Sequence, residues 1–450
     1  MMGFMSKHRI GLVPLLLLLT VFPAAARFSG CYLGAYTGGG AYDSTYISPQ
    51  DFSALSGKTP AVFTRYLNSG DHADLFNPDH WSWANSLLPL DASPAFFLMP
   101  FDGLAAYANG SRDADLNYFA QSAALLNRPV FIIFGHEMNG PWSLWGQQPA
   151  EYVAAFQRVA QVMKSANPLI QMCWVPGQAW GYPWGGGATG QGYEEYYPGD
   201  SAVDWVGLTI HDRDWNENNQ VEPGLFDAAV HYLDFYQNYA ASRLQPMLLA
   251  ETAQFDGNWD PTPPGVRVPL TPQQMATEKN QWVAQVYDAA NLSTNFPWLK
   301  LIIWFHVGKV ENLSTQSHNF GPVFTDYRLP LEGVNNLYSM LVADPYFQSG
   351  LITPIDQREA KVAQSHRLLC CYPNPFNSRM AIRVELPRAG VASIRIFDLR
   401  GKEVQRIHRG RLSAGEHRFY WDGEGRASGM YFVRLNFPGY SASHKILLVR

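Results

Sequence analysis

The chain has 450 residues, 47% of them hydrophobic and 14% aromatic, with 14 Trp, 23 Tyr and a formal net charge of -5. That length exceeds one small domain and fits a barrel of about 250–350 residues plus a smaller unit. The small net charge gives no suggestion of a nucleic-acid binder, which would show a clustered basic surface. Core packing is the default use of an aromatic residue, but Trp and Tyr also suit a sugar cleft. The C–H face of a pyranose stacks on an aromatic plane while its hydroxyls take hydrogen bonds. Cys31, Cys173, Cys370 and Cys371 show neither metal spacing nor a disulfide framework and read as free thiols.

In chain order, residues 1–26 come first. Lys7, His8 and Arg9 precede an apolar run and Pro-Ala-Ala-Ala, the pattern of a secretory signal peptide cleaved after about Ala26. The apolar run is too short to span a membrane comfortably. A lipoprotein box ending at Cys31 is the rival reading. Phe28 fits it poorly, and Cys31 opens a predicted strand, leaving no tether.

Eight predicted strands follow: Cys31–Thr37, Ala61–Leu67, Ala95–Pro100, Arg128–Gly135, Ile170–Val175, Val203–His211, Pro246–Glu251 and Leu299–His306. Several are continuous apolar runs, the signature of parallel strands buried on both faces. Helical patterns lie between them, including residues 151–166, and 271–292 with Thr271 as N-cap. Eight such alternations predict an α/β fold, a (β/α)8 TIM barrel over residues 27–350.

A barrel places chemistry at the C-terminal ends of its strands. Polar residues that interrupt the apolar runs there are Glu137, after the fourth strand, and Glu251, at the end of the seventh. Two carboxyl groups about 5–5.5 Å apart are what glycosidic hydrolysis with retention needs, one as acid and one as nucleophile. The acid must arrive protonated and the nucleophile ionised. A zinc reading of His136-Glu137 fails because Gly140 stands where HExxH needs its second histidine. Gly185-Gly186-Gly187 follows no phosphate-loop pattern and reads as a loop. No nucleophile elbow supports Ser-His-Asp catalysis.

His136-Glu137-Met138-Asn139-Gly140-Pro141-Trp142, followed by Trp145-Gly146, resembles the acid/base segment of glycoside hydrolase family 26. Tyr196-Tyr197-Pro198-Gly199-Asp200 with Val203-Asp204-Trp205-Val206-Gly207 resembles its approach to the sixth strand, and Pro246 to Thr252 its nucleophile strand. The resemblance spans roughly residues 31–345. It implies a retaining, mostly endo-acting enzyme, chiefly on β-1,4-mannan, with β-glucan and xylan as alternatives. It makes Glu137 the acid/base and Glu251 the nucleophile. His136 would bond the sugar near the nucleophile, Trp142 would line the neighbouring subsite, and Trp304 would floor the cleaved-sugar subsite. One departure stands out: His211 occupies the place where similar members carry a tyrosine beside the nucleophile. Histidine still donates a hydrogen bond, but it titrates near neutrality. Trp145, Trp174, Trp180, Tyr182, Trp184, Trp215 and Trp259 fall near the strand-to-helix loops as candidate sugar platforms. Asp102, Asp212 and Glu311 are candidate subsite hydrogen-bonders. The chemistry requires no metal or organic cofactor, and a monomer is expected.

Residues 351–368 read as a linker. Beyond it, over residues 369–450, short alternating strands predict a small all-β immunoglobulin-like sandwich. Asp398-Leu399-Arg400-Gly401 reads as a hairpin turn. The segment resembles the C-terminal sorting domain of the type IX secretion system in its opening YPNPFN, its FDLRGKEV and its SGMYFVRL. That resemblance implies the secretion machinery as a partner, and a destination outside, or on the outer surface of, a Gram-negative-type bacterium.

Overall fold

The computed structural model describes residues 30–350 and 370–449, apart from 41–42, 179–191, 213–220, 255–257, 262–263, 269–271, 315–318, 332–335 and a few single positions beyond 370. The predicted signal peptide, Thr271 and the predicted linker lie outside the described residues. Eight parallel strands close into a barrel: β1 Cys31–Tyr36, β2 Val62–Asn68, β3 Ser93–Met99, β4 Val130–Phe134, β5 Ile170–Trp174, β6 Trp205–Asp212, β7 Met247–Gln254 and β8 Leu299–Phe305. Each pairs with the next in order, and β8 returns to β1 with Tyr32 opposite Leu301 and Tyr36 opposite Phe305.

The strands are apolar throughout because they have two buried faces. Residues such as Phe97, Phe131, Ile133, Leu248, Leu301 and Ile303 fill the barrel interior. Their neighbours Phe96, Ile132, Leu249 and Ile302 belong to the larger core shared with the helices. The helix Pro149–Ala166 shows how that outer layer is built. Pro149 opens it, and Tyr152, Phe156, Val159 and Met163 bury one face. Proline suits a first turn whose N–H groups have no partner, and each large apolar side chain buried contributes about 1.5–3 kcal/mol. The second predicted helix divides in two, Pro272–Val286 and Ala289–Asn295. Asp288 interrupts it by capping the second part, accepting from Asn291 N–H.

Cys31 is fully buried at the start of β1, and its N–H donates to the Tyr346 carbonyl at 2.9 Å. A lipidated, tethered cysteine does not fit that position. Cys31, Cys173 and Cys371 are free, buried thiols.

The C-terminal part is antiparallel: β9 Cys370–Tyr372, β10 Arg379–Leu386, β11 Gly390–Asp398, β12 Glu403–Leu412, β13 Gly415–Asp422, β14 Gly429–Phe437 and β15 Tyr440–Leu448. The sheet orders are β9-β10-β13 and β12-β11-β14-β15. Their inward residues, among them Ile382, Ile394, Trp421 and Val433, share one core. The two parts differ in charge. Residues 27–350 hold 14 Lys and Arg against 30 Asp and Glu, a formal net charge of -16. Residues 370–450 hold 14 against 6, a net charge of +8.

Candidate active site

β4 delivers its apolar side chains alternately to the interior and to the helices and then stops. Gly135 and Glu137 both take a left-handed backbone, with φ of 53° and 55°. Gly135 adopts this freely, and a Cβ there would press on Tyr152 and Trp145 at 3.1 and 3.3 Å. For Glu137 the left-handed region costs roughly 1–2 kcal/mol, so its surroundings must hold it there. Its N–H donates to the Val175 carbonyl at 2.9 Å. The Trp145 indole donates to the His136 carbonyl at 2.7 Å. Asn139 clamps Gly177 twice, accepting its N–H and donating to its carbonyl, each at 2.8 Å.

The Glu137 carboxylate meets Thr209, whose hydroxyl donates to Oε1 at 2.6 Å. The Trp142 indole donates to Oε2 at 2.6 Å. The ring folds back over Gly140, where an added Cβ would lie 2.0 Å from it. Trp142 is nevertheless 44% exposed.

Glu251 reaches the same cleft through an irregularity in β7. Leu208 of β6 is opposite Leu249, but the next residue, Thr209, is opposite Glu251, so Ala250 is an extra residue. On the other side Ile302 faces Leu249 and Trp304 faces Thr252. Leu248 and Ala250 point inward. Thr252 points to the helices, where its hydroxyl accepts from the Trp282 indole at 3.1 Å. Plain alternation would turn Glu251 outward with Leu249. The bulge resets the phase and aims it into the barrel mouth, a recurrent use of β-bulges near active sites.

The Tyr66 hydroxyl donates to Glu251 Oε1 at 2.5 Å, and His211 Nε2 lies 3.1 Å from Oε2. His136 Nε2 is 3.8 Å from Oε1. Burial pushes the Glu251 carboxyl up, but the His211 hydrogen bond, the charges of His136 and His211 and the Tyr66 hydrogen bond outweigh it and hold the group at about 2. Hydrogen bonds to the charged form act in that direction.

Glu137, Glu251, His136, Trp142 and His211 thus lie together at one end of the barrel. Trp304 does not join them. It is fully buried, donates to the Tyr327 carbonyl at 2.9 Å and lies 6.3 Å from the Tyr287 ring. Strand parity explains this: Leu301 and Ile303 face inward, so Trp304 faces the helices, and Phe305 is the residue presented to Tyr66, His211 and Tyr327. Trp145 and Trp174 are buried core residues. Asp102 is held by Arg112 at 2.7 Å, and Asp212 is buried at the end of β6. Trp259 and Glu311 fall on the strands Asn258–Pro261 and Gly308–Ser314. Trp180, Tyr182, Trp184 and Trp215 lie outside the described residues. Sequence reasoning missed Tyr66, Thr209 and Phe305. Tyr66, polar and near the end of the second apolar run, carried a detectable signal; Thr209 carried none. Among the described residues no group of three or more His, Cys, Asp or Glu side chains could hold a metal ion.

A closed parallel barrel with two carboxylates at the ends of its fourth and seventh strands is the arrangement of the barrel glycoside hydrolases. A family model described as glycosyl hydrolase family 26 matches residues 109–235, a stretch that contains Glu137 and stops short of Glu251. A model described as secretion system C-terminal sorting domain matches residues 370–449. The barrel therefore carries a match to glycoside hydrolase family 26, and the C-terminal sheets carry a secretion sorting domain, a mark of export or the cell surface. A Vibrio sp protein named beta-1,3-xylanase TXYA is 27% identical over 185 residues, 38% of each chain. An Alcaligenes sp beta-1,3-xylanase is 28% identical over 192 residues, again 38% of each. The chain thus matches well under half the length of these curated relatives. The solved structure of GH26C from Muricauda sp. MAR_2010_75 aligns with a TM-score of 0.49 at 15% identity, over 74% of this chain and 91% of that one.

Proposed function

We propose that the barrel hydrolyses a β-linked polysaccharide with retention, Glu137 serving as acid/base and Glu251 as nucleophile. In the first step a Glu251 oxygen bonds to the anomeric carbon. The bond to the leaving oxygen breaks, and that oxygen takes the proton from Glu137. In the second step Glu137 removes a proton from water, the water oxygen bonds to the anomeric carbon, and the bond to Glu251 breaks. One observation carries this reading: the two glutamates share a cleft in unequal surroundings. Thr209, bonded to the Glu137 carboxylate, is the β-ladder partner of Glu251. Glu251 is buried with two hydrogen-bond partners, Tyr66 and His211, and His136 Nε2 3.8 Å away, whereas Glu137 lies under a half-exposed indole.

For the substrate we place β-1,3-xylan first, because both curated relatives carry that activity in their names. β-1,4-Mannan stands second, on the resemblance of the His136–Trp142 and Pro246–Thr252 segments. The sorting domain would be read by the secretion machinery after a leader over residues 1–26 had taken the chain across the inner membrane. The test is reducing-sugar release from β-1,3-xylan, β-1,4-xylan, mannan, galactomannan and mixed-linkage β-glucan. Glu251→Ala and Glu137→Ala are run beside the wild type, and NMR follows the anomeric configuration of the first product. Retention on one of these glycans, with activity lost in Glu251→Ala and reduced about 10²–10⁴-fold in Glu137→Ala, is expected. An inverted product, or unchanged turnover in Glu251→Ala, would overturn the assignment.

A further inference from the structure

We propose that Tyr66 is a positioning residue for the nucleophile: from β2 it supplies the phenol that the family resemblance led us to expect after β6, and it governs breakdown of the glycosyl-enzyme. The proposal rests on the reading of Glu251 as nucleophile. The phenol has little freedom. Its ring stacks on Phe97 at 4.3 Å and meets Tyr36 edge-on at 4.7 Å, with Phe305 and His136 edge-on at 6.3 and 6.0 Å. In that box the hydroxyl is directed at Glu251 Oε1, and a separation of 2.5 Å is that of a charge-assisted O–H···O⁻ bond. His211 takes the other oxygen at 3.1 Å. Each carboxylate oxygen therefore has a donor from a different strand, so rotating the carboxylate plane breaks both bonds.

The two chemical steps use these donors differently. When Glu251 attacks, its charge is spent in forming an ester, and the Tyr66 bond weakens because its acceptor becomes neutral. When water displaces the sugar, the electron pair of the ester bond returns to the carboxylate and the Tyr66 bond regains its strength. Tyr66 thus restrains the first step slightly and assists the second, the differential binding that accelerates a step.

Tyr66→Phe keeps the ring and removes only the donor. The probes are 2,4-dinitrophenyl β-xylobioside and β-mannobioside, whose good leaving group makes the second step limiting. The expected result is a kcat lowered about 10–100-fold with KM lowered in parallel and kcat/KM nearly unchanged, together with a pre-steady-state burst of dinitrophenol. Tyr36→Phe removes a hydroxyl bonded to Asp43 rather than to Glu251 and should leave kcat and KM each at its wild-type value. Two further measurements separate the role of Tyr66 from the reading of Glu251. Labelling of wild type by a 2-fluoro glycoside, located by peptide mass, must fall on Glu251; labelling elsewhere overturns both readings. Carbon-13 titration of the Glu251 carboxyl, which needs no turnover, must move to higher pH in Tyr66→Phe. Correct labelling with an unmoved titration, or with kcat and KM unchanged, overturns the role of Tyr66 alone.

Discussion

Glu251 stays charged inside a barrel because its neighbours supply hydrogens where water cannot. Burial alone would raise its carboxyl above the ordinary 4.5, yet His211, His136 and Tyr66 bring it to about 2. A group depressed on folding stabilises the native state above its unfolded value, and that contribution disappears as pH falls through the folded value. The window here runs from about 4.5 down to about 2. The difference in melting temperature between wild type and Glu251→Gln should therefore shrink as pH falls between about 4.5 and about 2. A constant difference throughout would show that the native carboxyl titrates normally. At this scale the sequence revealed the carboxylates better than their companions. Glu137, Glu251 and His211 each interrupt or end an apolar run. Tyr66 and Thr209 lie inside runs whose composition is already β-prone: Tyr66 stands out as a polar residue near the end of its run, Thr209 gives no sign, and the closed ring of strands brings each to a glutamate. The histidine at the expected tyrosine position is no loss of a donor, since His211 and Tyr66 each take one oxygen of the nucleophile.

At the scale of elements, all eight barrel strands were legible because burial on both faces writes itself as unbroken apolar runs. The phase of a strand's last residues was not legible. Trp304 ends an apolar strand as a site residue would, but parity turns it to the helices, and Phe305 takes the position in the mouth. Glu251 shows the opposite case: parity would turn it outward, and the extra residue Ala250 turns it in. Register changes of one residue exchange the faces of a strand, and no local sequence feature marks this one. Another local device invites a test. Gly140 leaves room for the Trp142 ring to fold onto the acid/base. Gly140→Ala should push the half-exposed indole off Glu137, lowering kcat about tenfold or more while the melting temperature moves by only a degree or two. A large fall in melting temperature would show that the glycine serves the fold of the loop instead.

At the scale of the molecule, two units with separate cores were legible from the change in periodicity after about residue 350. The helix-rich, doubly buried pattern gives way to short alternating strands, which the structure arranges as two antiparallel sheets. The opposite charges of the two parts have a practical consequence. The full chain has a sequence pI near 6.2 only because a basic sandwich offsets an acidic barrel. A barrel of residues 27–350 that had shed the rest would keep the charge of -16 without the +8 and would behave as a strongly anionic protein at neutral pH. On an anion-exchange column such a processed form should elute at distinctly higher salt than the intact chain, and on isoelectric focusing it should band well to the acid side. Proteolytic maturation would then be visible as electrophoretic mobility, with no antibody or tag, in the medium in which the cells grew.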